Sequence, residues 1–225
     1  MDKKALAKTI DHAILKPEQT AADLVRECAV AREYGVFSVC VKPSDVARAA
    51  ELLQDSEVKV STVIGFPHGG TTSAVKVSEA REAIENGAAE LDMVINIGRL
   101  RSGDYDYVEA EIRGVVEAAH PKGVLVKVII ETALLDDGAK TTACRLAEKA
   151  GADFVKTSTG FGGGGATLAD IELMRKTVGP QMQIKASGIR TAEFAAALLD
   201  AGCARLGVSG TNALLESIKA ADGDY

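Results

Sequence analysis

The sequence predicts an α/β fold and, within that class, a single compact (β/α)8 barrel. The chain has 225 residues, 47 % of them hydrophobic, which is enough for one sizeable core in one domain spanning residues 1–225. Short apolar runs alternate with helical patterns along the whole chain, as in parallel strands joined by crossover helices. Eight such units in a chain of this size favour the barrel. An open doubly wound sheet is the alternative, but it usually has fewer strands.

The predicted strands are short apolar runs rich in β-branched residues. In chain order they lie near residues 9–15, 36–41, 58–64, 90–96, 124–130, 153–157, 183–186 and 204–209. Because each run is followed by a helical pattern, we expect all eight strands to be parallel.

Helix signals fill the intervening segments. Thr20 and Ser44 have the residue types and positions of N-caps, and Glu109 with Arg113 forms an i,i+4 pair of opposite charge. Four glycines stand where a helix needs a left-handed residue after its last turn. They are Gly35, Gly87, Gly151 and Gly202.

Composition excludes several classes of partner. The net charge is −6 and no basic stripe occurs, so nucleic acid and anionic membranes are poor candidates. No apolar run is long enough to span a bilayer, and the first residues lack the apolar core of a signal peptide. The three histidines are isolated, which leaves a metal site unsupported. The scattered cysteines form no CxxC pair and predict free thiols in a reducing cytoplasm; they are Cys28, Cys40, Cys144 and Cys203.

Charged residues near the carboxyl ends of the predicted strands identify a candidate site, because barrel sites are built at that end. Three lysines, Lys127, Lys156 and Lys185, lie in otherwise apolar strands, with Asp11 and Asp92 on two others. Lysine is almost never fully buried without a reason. The alternative is that each stem packs while its ammonium group reaches the rim. Further polar candidates at these ends are Cys40, Lys42, Asn96, Glu131 and Ser209.

The lysines point to amine chemistry. Lysine attacks a carbonyl only as the neutral amine, so its pKa must fall by roughly three units from about 10.4. Burial and a second cation both lower it, and Lys156 and Lys185 on adjacent strands can form such a pair. Asp92 can relay protons or hold one of the lysines charged.

A glycine run at residues 160–165, "GFGGGG", follows Lys156 closely. It fits G-x-G-x-x-G, but the acid that a dinucleotide site needs about 20 residues later is replaced by Lys185. It also lacks the Lys-Ser/Thr pair of an ATP-binding loop. The glycine run exposes backbone amides just before a helix that starts near Thr167, and such amides can bind phosphate. The turns "SGIR" and "SGTN" can contribute amides in the same way. The alternative is that all three are ordinary flexible loops. The candidate phosphate-binding residues are Gly160, Gly162, Ser187, Gly188, Ser209 and Gly210.

These motifs resemble those of the deoxyribose-phosphate aldolases over nearly the whole chain. The matching stretches are "IDHAILKP", "VCVKPSDV", "VIGFPHG", "ELDMVINIG", "KVIIET", "ADFVKTSTGFG", "IKASG" and "RLGVSG". The resemblance implies a (β/α)8 barrel and a class I aldolase that needs no metal or cofactor. It implies reversible cleavage of 2-deoxy-D-ribose 5-phosphate to acetaldehyde and D-glyceraldehyde 3-phosphate, and a homo-oligomer, either a dimer or a tetramer.

By the same resemblance, Lys156 is the Schiff-base lysine, Lys185 the second lysine and Asp92 the acid of the proton steps, with Asp11 and Lys127 in support. The sequence departs from the family in two loops: "KASGIR" is one glycine short after Gly188, and "VSGTNALLE" replaces the usual small-residue run. Both departures concern phosphate binding more than the carbonyl chemistry. Residues 220–225, ending in Tyr225, fit either a frayed terminus or the mobile tail of some members.

Three other functions remain open from the sequence. One is a Schiff-base aldolase acting on a different sugar phosphate, and another is a non-catalytic barrel that binds a phosphorylated metabolite. The third is a barrel isomerase that uses acid–base chemistry alone. Cys40, near the expected site, fits a packed thiol or one that reacts with aldehydes.

Overall fold

Residues 2–218 are described by a computed structural model, in which eight parallel strands close into one barrel in sequence order. The last strand pairs with the first, so no strand has a free edge. This confirms the predicted fold class and its eight strands. The strands are β1 Ile10–Ile14, β2 Ser38–Val41, β3 Lys59–Ile64, β4 Glu90–Val94, β5 Leu125–Ile129, β6 Phe154–Lys156, β7 Gln183–Ser187 and β8 Arg205–Val208.

Helices connect successive strands around the outside of the barrel. Short 3-10 turns at Pro43–Asp45, His120–Lys122 and Thr132–Leu134 supplement them. Within residues 2–218 the α-helices are α1 Lys3–Ala7, α2 Ala21–Tyr34, α3 Val46–Leu53, α4 Ser73–Glu85, α5 Ile97–Arg101, α6 Tyr105–Ala119, α7 Asp137–Lys149, α8 Leu168–Thr177, α9 Ala192–Asp200 and α10 Thr211–Glu216.

Local signals account for most helix ends. Thr20 accepts a hydrogen bond from the Asp23 amide while the Asp23 carboxylate accepts from Thr20, a complete capping box on α2. Ser44 was predicted as a cap, but this prediction is wrong. It lies inside a 3-10 turn, and α3 begins at Val46 without a side-chain cap, because Pro43 favours the start of a helical turn one step earlier.

The four predicted helix-ending glycines all have left-handed backbone angles, with φ between 60° and 104°. A side chain would clash in this conformation, so glycine is the residue that lets each helix turn back into a strand. The predicted pair of Glu109 and Arg113 is also present, as an i,i+4 ion pair on α6.

The two faces of each strand have different roles. On β4, Leu91 and Met93 point outward into the apolar layer between the sheet and the helices. Glu90 and Asp92 alternate with them and therefore point into the barrel, where both are buried. The hydrophobic core thus lies outside the sheet, and the barrel interior holds the charged side chains, which pack against Phe154.

Strand register brings the charged residues of neighbouring strands side by side. Asp92 on β4 is level with Lys127 on β5, and Lys156 on β6 is level with Lys185 on β7. Lys185 is level with Arg205 on β8. The predicted tail at residues 220–225 lies outside the described residues. Between residues 2 and 218, no helix is both long enough and apolar enough to cross a membrane.

Candidate active site

Seven charged side chains from six strands meet inside the barrel. Each is no more than 5 % exposed, so solvent screens none of them. Isolated charges at this depth would be costly, which means that they must neutralise one another. They are Asp11, Glu90, Asp92, Lys127, Lys156, Lys185 and Arg205.

Six of these side chains form a closed ring in which carboxylates and cations alternate, called the charge ring below. Lys185 Nζ lies 2.7 Å from Asp92 Oδ2 and 2.5 Å from Asp11 Oδ2. Lys127 Nζ lies 2.9 Å from Asp92 Oδ1 and 2.6 Å from Glu90 Oε2. In order, the charge ring runs Asp92, Lys185, Asp11, Arg205, Glu90, Lys127 and back to Asp92.

Arg205 closes the charge ring. Its Nη1 lies 2.5 Å from Asp11 Oδ1 and its Nη2 lies 2.6 Å from Glu90 Oε1. Its guanidinium also stacks over the ring of Phe37. With Arg205 included, the charge ring has three carboxylates and three cations and is electrically neutral.

Lys156 stands outside this neutral set as a fourth cation. Its Nζ lies 2.7 Å from Asp92 Oδ2, the same oxygen that Lys185 contacts. Burial lowers the pKa of Lys156; Asp92 opposes this shift and the neighbouring Lys185 adds to it, so that the net direction is downward. Lys156 is therefore the lysine of the cluster that most readily becomes a free amine.

The pKa shifts of the two neighbours of Lys156 instead favour their charged forms. Burial would lower the pKa of Lys185, but the carboxylates of Asp11 and Asp92 outweigh it and raise that pKa. Burial would likewise raise the pKa of Asp92, but Lys127, Lys156 and Lys185 hold it well below its usual value. Asp92 thus stays ionised and Lys185 stays protonated near neutral pH.

A cavity of about 250 Å³ opens above Lys156 and Lys185 at the carboxyl ends of the strands. Asp11 and the Cys40 thiol also line it. Burial comes first among the causes that raise the pKa of Cys40, so this thiol is protonated at neutral pH. Lys127 is fully buried beneath, in contact with the carboxylates rather than with the cavity. The structure thus brings together Asp11, Asp92, Lys127, Lys156 and Lys185, whereas Lys42 pairs with Asp45 and Glu131 with Thr159.

The predicted phosphate-binding residues divide into two groups. Gly160, Ser187, Gly188 and Ser209 line the cavity. Within the described part of the chain, Gly162 and Gly210 are not among its lining residues.

Two lining cations, Lys16 and Arg190, were missed by sequence reasoning as site residues. Arg190 ends the turn "SGIR", which the sequence had marked only for its small residues. Glu90 and Arg205 were also missed, although both are charged residues in apolar strands, the same signal that singled out the lysines.

Glu131, two residues after the end of β5, shapes the glycine run. It adopts a left-handed backbone angle, φ 54°, which is rare for a residue with a side chain. Its buried carboxylate accepts hydrogen bonds from the Thr159 amide, at 3.2 Å, and from the Thr159 hydroxyl. A methyl group at Gly162 would lie 2.6 Å from Glu131 Cδ. Gly162 is therefore explained by close packing against a carboxylate.

His12, on the outward face of β1, links three elements. One ring nitrogen, Nε2, lies 3.1 Å from Glu27 Oε2 on α2, and Nδ1 lies 2.7 Å from Thr211 Oγ1 on α10. A carboxylate only accepts, so Nε2 carries the proton and the neutral ring accepts from Thr211. Burial is the leading cause that lowers the pKa of His12, so the ring is neutral at pH 7.

Comparison with known proteins identifies the family. A family model described as DeoC/LacD family aldolase matches residues 1–220. The chain belongs to the DeoC/LacD aldolase family. This confirms the resemblance seen in the sequence, and the charged cluster described above is the interior of a DeoC/LacD family barrel.

Relatives of the DeoC/LacD family extend over the full chain. A protein of Clostridium perfringens named deoxyribose-phosphate aldolase is 56 % identical, with 100 % of each chain covered. A protein of that name from Thermococcus gammatolerans is 54 % identical over 96 % of this chain and 98 % of its own. The solved structure of the deoxyribose phosphate aldolase from Aeropyrum pernix, described as tetrameric, has a TM-score of 0.91 at 33 % identity, covering 97 % of this chain and 93 % of that one.

Proposed function

We propose that the chain reversibly cleaves 2-deoxy-D-ribose 5-phosphate to acetaldehyde and D-glyceraldehyde 3-phosphate through an imine on Lys156. The main support is the position of Lys156: a buried lysine beside a neutral ring of charges, at the floor of a cavity. The names of the full-length relatives support the substrate.

The reaction begins when the neutral Lys156 amine adds to C1 of the open-chain sugar. Loss of water from the carbinolamine gives an iminium ion, which accepts the electron pair of the C2–C3 bond as that bond breaks. The C3 hydroxyl loses its proton in the same step and becomes the aldehyde of glyceraldehyde 3-phosphate. The enamine left on Lys156 takes a proton at C2, and hydrolysis releases acetaldehyde and the amine.

Asp92 and Lys185 support the proton-transfer steps of this scheme. Asp92 Oδ2 contacts both lysines, so it lies where protons enter and leave the carbinolamine. Lys185 keeps its charge and helps to hold Lys156 neutral. Asp11 fixes the position of Lys185, and Lys127 fixes that of Asp92. Such positioned acid–base groups contribute about 10²–10⁴-fold to a rate.

The phosphate group binds at the rim of the cavity. Gly160, Ser187, Gly188 and Ser209 line that rim beside the cation of Arg190, and donors of this kind suit a phosphate dianion. Roles for Gly162 and Gly210 in phosphate binding stay predictions. Binding energy at this remote end positions C1 against Lys156.

The decisive experiment is a borohydride trap. Wild-type protein is incubated with acetaldehyde and sodium borohydride, then digested and mapped by mass spectrometry. We expect a reduced two-carbon adduct on Lys156 and none in Lys156→Arg, which keeps the charge but loses the nucleophile. Absence of an adduct with retained binding of the sugar phosphate favours a non-catalytic barrel, and an active Lys156→Arg favours an isomerase.

Product analysis tests the substrate. Release of acetaldehyde from deoxyribose 5-phosphate separates the proposal from an aldolase specific for another sugar phosphate. In Arg190→Ala we expect a higher KM for the phosphorylated sugar with an unchanged acetaldehyde trap. An unchanged KM would place the phosphate elsewhere.

We also propose a single-domain homo-oligomer located in the cytoplasm. The Aeropyrum pernix relative is described as tetrameric, which supports an assembly of like chains. All four cysteines are buried free thiols, which suits a reducing compartment. Light scattering of the purified protein and fractionation of the source cells test these two points.

A further inference from the structure

We propose that Arg205 and Glu90 are positioning residues for the imine chemistry: they close the charge ring so that it is neutral without Lys156. This inference rests on the proposed function and extends it to two side chains that are not among the residues lining the cavity. Their effect on the reaction is carried through Asp11, Lys185, Lys127 and Asp92.

The contacts of the four cations separate Lys156 from the others. Lys127, Lys185 and Arg205 each contact at least two carboxylates within 3 Å. Lys156 contacts one, and it shares that oxygen with Lys185. The cation with the fewest carboxylate contacts should lose its proton most easily, and in this cluster that cation is Lys156.

Arg205 cannot be the cation that loses its proton, because a guanidinium stays protonated in proteins. The titratable groups that face Lys156 directly are Asp92 from β4, Lys185 from β7 and the Cys40 thiol from β2. Arg205 reaches Lys156 through Asp11 and Lys185, and Glu90 reaches it through Lys127 and Asp92.

Charge balance predicts opposite effects for the two residues. Arg205→Met removes one cation and leaves the charge ring with a net charge of −1, which favours the protonated form of Lys156. Glu90→Gln removes one carboxylate, leaves a net charge of +1 and favours the free amine. The double variant is neutral again, with two carboxylates and two cations in the ring.

The test measures the pH at which Lys156 becomes reactive. Borohydride trapping of acetaldehyde is followed from pH 5 to pH 10 by peptide mapping. Acetylation of Lys156 by acetic anhydride, over the same range, reports its protonation without any aldehyde. Relative to wild type, we expect the midpoint in Arg205→Met to rise by about one pH unit and that in Glu90→Gln to fall by a similar amount.

Two matched variants separate charge from packing. Arg205→Lys keeps the positive charge and should leave the midpoint near that of wild type. The double variant Glu90→Gln/Arg205→Met lacks both side chains, yet its midpoint should return to within about 0.3 units of wild type, because neutrality is restored. A purely structural role would make the double variant the most disturbed of all.

The outcomes are decisive in each case. The inference is overturned if the midpoints of both single variants shift in the same direction. It is also overturned if the midpoint of the double variant does not return to that of wild type. If Arg205→Met does not fold, the test rests on the other two variants. The midpoint should fall in Glu90→Gln and return to that of wild type in the double variant. If wild type gives no adduct, the proposed function fails, while the acetic anhydride titration still settles the role of Arg205 and Glu90.

Discussion

Gly162→Ala should destabilise the protein through one contact, that with Glu131. The new methyl group would lie 2.6 Å from Glu131 Cδ and 2.8 Å from Glu131 Oε2, whereas carbon atoms in contact are normally separated by about 3.5–4.0 Å. Glu131 cannot retreat easily, since it is buried and both its carboxylate oxygens accept from Thr159. Either the loop or the carboxylate must move.

The cost has two parts. Forcing an extra methyl group into a packed site costs about 1–3 kcal/mol. Weakening the hydrogen bonds between the Glu131 carboxylate and Thr159 adds about 1–2 kcal/mol. We therefore expect the free energy of unfolding to fall by about 2–5 kcal/mol, which in a chain of 225 residues lowers Tm by on the order of 10 °C.

A double-mutant cycle measured by urea unfolding isolates this contact. In the Glu131→Ala background the obstacle is gone, so Gly162→Ala should cost little. Gly163→Ala is the matched control, because Gly163 has φ 85° and no atom lies within 4 Å of the added methyl group. It should cost about 1–2 kcal/mol in both backgrounds, from backbone strain alone. Equal costs of Gly162→Ala in the two backgrounds, within about 0.5 kcal/mol, would refute the proposed contact.

Two further predictions concern buried polar groups. Asp92→Asn removes the carboxylate that three lysines share; we expect kcat to fall about 10²–10⁴-fold with the circular dichroism spectrum unchanged, and a loss under tenfold would contradict the role of Asp92. His12 has a folded-state pKa below its usual 6.5, so the unfolded chain binds the proton first, and stability is full above about pH 6.5 and lost as the pH falls through it. In wild type this loss of stability is about 1 kcal/mol per pH unit, measured by urea unfolding at pH 7.5 and 5.5, and it should be absent in His12→Asn. The same pH dependence in both proteins would exclude His12 as its cause.

The fold was predictable because its determinants are local. Glycines such as Gly35 and Gly202 mark helix ends by their own backbone freedom, and apolar runs mark buried strands wherever the strands pair. Ser44 shows the limit of local rules: a cap signal competed with Pro43, and the proline set where the turn began.

The reactive centre was predictable in its residues but not in its pairing. Lysines inside apolar strands stand out one at a time, so Lys156 and Lys185 could be found. Which carboxylate neutralises which cation depends on closure of β8 onto β1, and no local pattern encodes that. Arg205 and Glu90 carried the same signal as the lysines but had no partner to suggest a purpose.

The glycine run was the least predictable part. Its bare backbone suggested amides free for phosphate, and Gly160 does line the cavity. Gly162, however, lacks a side chain because Glu131 occupies the space. That contact depends on a left-handed residue, Glu131, that lies far earlier in the chain, and its residue type gives no signal for this conformation.

A closed ring of alternating charges also constrains how this protein can change over generations. A single substitution that removes the charge at any of its six positions leaves an unpaired ion in the barrel, at a cost of about 3–5 kcal/mol, which is a large part of the stability of a typical domain. Selection should therefore remove most single substitutions in the charge ring, and two residues of the ring should change together. Positions 90 and 205 should therefore covary among distant relatives, and descendants that abandon the chemistry should lose the ring in opposite-charge pairs rather than residue by residue.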